Sequence, residues 1–102
     1  MTVIESPEDY GLIEVLTLNL LEAMYEFDLF LVFIDVKTGK FYTAADSGCS
    51  CPSPFERFIT REDLTGPLDW HQVVKYISIA AAESSDGEKN LPQAIEKLMK
   101  YR

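Results

Sequence analysis

Leu29-Phe30-Leu31-Val32-Phe33-Ile34 contains no polar side chain. The run is far short of the roughly 20 residues that a membrane helix needs. Successive side chains of a strand point to opposite faces, so a strand over Phe27 to Val36 is apolar on both of them. Both faces must then be covered. Helices from the same chain supply one cover. The second cover must come from the N-terminal segment or from another copy of the protein, which keeps a homodimer open. At 102 residues the chain is of single-domain size, and no linker or repeat divides it, so one domain over residues 1–102 is expected.

The other elements follow from local signals. Ser6-Pro7-Glu8-Asp9 reads as one helical turn, with Pro at its first position and acids behind it. Ile13, Leu16, Leu20 and Met24 fit a helical face, whereas Leu16-Thr17-Leu18-Asn19-Leu20 alternates as a half-buried strand does, so the stretch from Leu12 to Leu20 is read as a strand with a helix as the alternative. Lys37-Thr38-Gly39-Lys40 is a hairpin turn, with Gly39 supplying the positive φ. Phe41 to Ala45 returns as the partner strand. Thr60-Arg61-Glu62-Asp63 suggests a single helical turn. Asp69 followed by Gln72 is a capping pair, and Trp70, Val73, Val74, Ile77 and Ala81 make one helical stripe. Ser84-Ser85-Asp86-Gly87 has loop composition, so the last helix is expected to start at Asn90, with Leu91, Ala94, Ile95 and Leu98 as its apolar stripe. The expected fold is α+β, a small antiparallel sheet of about three strands with the C-terminal helices packed on it. Phe30, Val32, Ile34, Trp70, Val73, Ile77 and Leu98 are its expected core.

Charge narrows the partners. The net charge is −8 and the pI about 4.5. Binding a phosphate backbone needs clustered Lys and Arg, and an anionic membrane surface has the same requirement. Neither partner fits. The carboxylates are scattered, as on a solvated surface, and not ranked along one face as a mimic of DNA would need. Met1-Thr2-Val3-Ile4-Glu5 has no basic residue and no apolar stretch behind it, so a cytoplasmic location is expected.

The segment Asp46-Ser47-Gly48-Cys49-Ser50-Cys51-Pro52-Ser53-Pro54-Phe55-Glu56 holds both cysteines and two of the five prolines. Gly48 permits a sharp turn. Cys51 and Ser53 precede prolines and are pushed towards extended backbone. The chain therefore leaves the sheet through a stiff turn, anchored by Phe55 and Phe58. In a reducing compartment Cys49 and Cys51 are thiols. A zinc site would recruit both, with His71 and Asp46 as further ligands, but alternate residues of an extended chain diverge. A thiol nucleophile would need a base or cation beside it. Asp46 and Glu56 oppose that, Arg57 and Arg61 favour it, and His71 is the only histidine. Asp28 interrupts an apolar strand between Phe27 and Leu29; it either bonds within the Cys/Pro turn or marks a strand end. There is no phosphate-cradling glycine loop, paired-histidine motif or GxSxG.

Tyr25-Glu26-Phe27-Asp28, the apolar strand, Lys37-Thr38-Gly39-Lys40-Phe41-Tyr42 and the DSGCSCPSPFE segment resemble small uncharacterised proteins encoded by bacteriophages of actinobacteria. The resemblance spans Tyr25 to Leu64 and brings no catalytic residue. It implies a small accessory protein made in an infected bacterium, acting on host factors in takeover or counter-defence. The expected function is binding of a host protein without catalysis and without a cofactor. Its partner-contact candidates are Asp28, Asp46, Gly48, Cys49, Cys51, Pro52, Pro54 and Phe55. Binding of zinc or a small ligand at the Cys/Pro turn, through Cys49, Cys51 and His71, is the alternative, and a thiol enzyme the third reading.

Overall fold

The computed structural model describes residues 1–21, 26–49 and 54–102, with Cys49 described by its backbone alone. Strands β1 (Leu12–Asn19), β2 (Glu26–Asp35), β3 (Phe41–Cys49) and β4 (Thr65–Leu68) are followed by helices α1 (Trp70–Ala81) and α2 (Ser85–Met99). The strands form an antiparallel sheet in the order β1-β2-β3-β4. The architecture is α+β with C-terminal helices, and it has a fourth strand where about three were expected. Among the described residues, no helix is long and apolar enough to cross a membrane.

The apolar run Leu29 to Ile34 of β2 serves two cores. Phe30, Val32 and Ile34 face α1 and α2, where they meet Leu16, Leu18, Phe41, Val73, Ile77, Ala94 and Leu98. Leu31 and Phe33 face the other way, against Val3, Leu12, Phe55 and Leu64, with Ile4, Tyr10 and Phe58 around them. The N-terminal segment thus covers part of the second face. The segment after the Cys/Pro turn covers the rest.

Strand β1 contributes to both cores because its register slips once. Ile13 and Glu14 pair with Ile34 and Phe33, and Leu16 pairs with Val32, leaving Val15 as the extra residue of a bulge. One inserted residue switches every later side chain to the opposite face. Leu12 therefore joins the second core, and Leu16 and Leu18 join the helix-facing one.

Both helices begin at side-chain caps. Asp69 accepts from the Gln72 N–H, and the Gln72 side chain accepts from the Asp69 N–H, each at 2.8 Å. Helix α2 begins earlier than its composition suggests. Ser84 is its cap, accepting from the Gly87 N–H at 2.9 Å and donating to the Leu20 carbonyl at 2.6 Å. The expected loop is its first turn. Asn90, expected as the cap, lies inside the helix and donates from its side chain to the Asn19 carbonyl at 3.0 Å. Trp70 is half-buried where burial was expected; its Nε1 donates to the Leu98 carbonyl at 2.8 Å and Arg102 lies over its ring.

Candidate functional site

The partner-contact candidates from the Cys/Pro segment separate by face. Asp46 lies on the second face and works as a clasp. Its Oδ1 accepts from the Ser47 N–H at 3.0 Å and its Oδ2 from the Phe55 N–H at 2.8 Å. Arg57 adds an ion pair at 3.3 Å, but its own side chain is 80% exposed, so this pair contributes little. The bonds tie the end of β3 to the turn at residues 54–57. Phe55 is buried there at a φ of 63°, edge-on to Phe58 with ring centroids 5.5 Å apart. A positive φ is uncommon for a bulky residue; the Asp46 bond and the burial of the ring hold it. Phe55 belongs to the core and not to a free surface. Gly48 is exposed, with the Phe27 ring against its backbone, and Pro54 is exposed. The side chain of Cys49, together with Cys51 and Pro52, lies outside the described residues.

His71 sits at the start of α1, edge-on to Trp70. That end of the sheet holds Leu68, which pairs with Phe41. The backbone of Cys49 is eight residues further along β3, roughly 27 Å of strand. His71 and Cys49 are thus at opposite ends of the sheet. Among the described residues, no three metal-ligating side chains come together.

The feature with the shape of a site lies on the helix-facing side. Along β3 the residues facing α1 shrink from Phe41 to Thr43 to Ala45. The helix stays above them, and a groove of about 470 Å³ opens between α1 and the sheet. Phe30, Thr43 and Ala45 form its floor, and Tyr76, Ile79 and Ala80 its wall. Tyr76 and Ile79 are 42% and 55% exposed, so apolar surface continues out of the groove onto the helix.

Two carboxylates close one end of this groove, Asp28 from β2 and Glu83 just beyond α1. Asp28 shares the helix-facing side of β2 with Phe30. Burial raises its carboxyl above the usual carboxylate range, and the charge of Glu83 raises it further. Among the described residues, no hydrogen bond or ion pair reaches the Asp28 carboxylate. Asp28 was legible as an anomaly in the sequence. Tyr76, Ile79 and Glu83 were not singled out, although a signal was present. Positions 76, 79, 80 and 83 recur at helical spacing outside the main stripe of α1 and mark a second face of that helix.

The family model of a domain of unknown function, DUF7574, matches residues 1–101. No curated protein and no solved structure matches the chain.

Proposed function

The chain belongs to the DUF7574 family, whose description names no activity, and we propose that it is a non-catalytic binding protein that works by occupying a surface of another protein. The observation that carries this reading is the groove beside α1, flanked by exposed Tyr76 and Ile79. Contiguous apolar surface of this kind marks interaction sites, and an aromatic next to an aliphatic side chain is a common anchor. The partner is a protein of the bacterial host, in line with the phage resemblance of the Tyr25–Leu64 stretch. Asp46 and Phe55 contribute indirectly, by holding the sheet and its second cover in shape.

The test is capture of a partner from an actinobacterial host lysate by the immobilised protein. Ile79→Glu should abolish capture. Ile13→Glu, at an exposed position on β1 far from the groove, should leave it intact. The effect on the target should be stoichiometric. Capture that survives Ile79→Glu removes the groove from the function. An effect at a small fraction of the target concentration, lost on thiol alkylation, replaces binding by thiol catalysis.

A further inference from the structure

Resting on the reading of the groove as a protein-binding site, we infer that its occupant is a basic, apolar segment of the partner, with a Lys or Arg side chain held between Asp28 and Glu83 and an aromatic or aliphatic neighbour laid on Phe30 and Ile79. The groove dictates both halves of this ligand. Its lining is largely hydrocarbon, and Thr43, Thr65 and Tyr76 add only hydroxyls. Its charged residues are two carboxylates at the same end. Among the described residues, Arg57 and Arg61 pair with Asp46 and Asp35 on the second face of the sheet, away from the groove. No Lys or Arg is among the described residues that line the groove.

Complementarity then selects the partner. The chain carries 17 acidic against 9 basic residues, so an anionic segment, a nucleic acid or an anionic lipid surface meets repulsion at this end of the groove. A cation meets attraction that strengthens as the apolar occupant excludes water. A long Lys or Arg stem also suits the floor, because it packs along hydrocarbon while its head reaches a charge. A second copy of this chain offers Lys97 to Arg102, whose Arg102 already lies over Trp70 at 4.9 Å, and Arg57 to Arg61, whose two guanidinium groups already pair with Asp46 and Asp35.

The experiment is selection of a displayed random-peptide library on the wild-type protein, followed by calorimetric titration of one enriched, synthesised peptide. The enriched peptides should share a Lys or Arg next to an aromatic or aliphatic residue. The double variant Asp28→Asn/Glu83→Gln should bind that peptide about tenfold or more weakly, and salt at about 0.5 M should weaken wild-type binding. The variant removes a like-charge pair, so it should fold at least as well as the wild type, and a thermal melt checks that. Enrichment without a cation, no enrichment at all, or equal binding by the double variant overturns the inference. So does concentration-dependent self-association that the double variant abolishes, which would make a second copy the occupant. The two readings fail separately in lysate capture. Capture lost in Ile79→Glu but kept in the double variant overturns the basic ligand and leaves the binding function standing. Capture kept in both removes the groove itself.

Discussion

Arg61 donates from Nη2 to Oδ2 of Asp35 at 2.7 Å, joining the short helical turn of the second cover to the end of β2. The same guanidinium donates from Nη1 to the Tyr10 carbonyl at 2.9 Å and lies over the Tyr42 ring, 4.7 Å from its centroid. Asp35 in turn accepts from the N–H groups of Lys37 and Thr38 through Oδ1, which sets the hairpin between β2 and β3. One ion pair thus fixes the hairpin, the N-terminal segment and the second cover together.

This arrangement predicts acid sensitivity. The Arg61 hydrogen bond, then the backbone N–H of Lys37, hold the Asp35 carboxyl below its usual range. The N–H groups of Thr60 and Ile59 do the same for Asp63. A carboxyl with a lowered folded pKa stabilises fully above its unfolded value, near 4, and loses that contribution as pH falls through the folded value. The unfolding midpoint should therefore drop below about pH 4. In Arg61→Met the protein should be less stable at neutral pH and its acid-induced drop smaller. Melts followed by circular dichroism across that range test this; an equal drop in the variant would detach Asp35 from acid stability.

Gly87 should not accept a side chain. The first turn of α2 crosses the end of α1 so closely that a Cβ there would stand 2.6 Å from the Ala81 carbonyl oxygen and 2.9 Å from Leu20 Cδ2. The carbonyl is backbone and cannot swing aside. Gly87→Ala gains helix propensity of about 1 kcal/mol, but the overlap should outweigh it, for a net loss of about 1–3 kcal/mol in chemical denaturation. A stabilised variant would mean that the helices separate freely at this crossing.

The sequence-based reading succeeded where local chemistry and tertiary packing agree. The Asp69–Gln72 box and the stripe Val73-Ile77-Ala81 specify α1 without reference to the rest of the chain. The apolar run of β2 dictates two covers. It failed where packing overrides composition. Ser85-Asp86-Gly87 reads as a loop, yet it is helical because Ser84 caps it and Gly87 lets it approach α1. No strand was expected over Thr65-Gly66-Pro67-Leu68, and β4 tolerates its Gly and Pro because it is a short edge strand. Gly66 is also the residue that fits there, since a Cβ would meet the Tyr42 ring at 2.6 Å. The groove was illegible because it arises from small residues of β3 lying opposite α1, a relation between elements distant in sequence.

The second face supplies a prediction about association. Val3 is fully buried against the face that carries Leu31 and Phe33. Val3→Asp would place a charge there and should lift the N-terminal segment, exposing apolar sheet. Self-association should rise in that variant, read by light scattering against the wild type. Phe33→Ala keeps the cover in place and should instead cost about 3–5 kcal/mol of stability. Unchanged scattering by Val3→Asp, with its N-terminal amides exchanging freely, would show that this face needs no cover.

Asp28 should cost the fold stability at neutral pH. Its carboxyl is raised above the usual range first by burial and then by Glu83, so the folded protein disfavours the ionised form relative to the unfolded chain. For an acid whose folded pKa is raised, this penalty is complete above the folded value. It is relieved as pH falls towards and below the unfolded value. Asp28→Asn keeps the shape and removes the charge. Its melting midpoint should exceed that of the wild type at pH 7, and the gap should narrow as the pH is lowered into the range where Asp28 takes up its proton. Glu83→Gln should raise the midpoint less, because the Glu83 charge is the smaller of the two causes. A groove residue that weakens the fold yet anchors a ligand is the pattern expected where activity is kept at the expense of stability. If Asp28→Asn melts lower than the wild type at pH 7, the carboxylate has a stabilising partner and is no longer available to a cation in the groove.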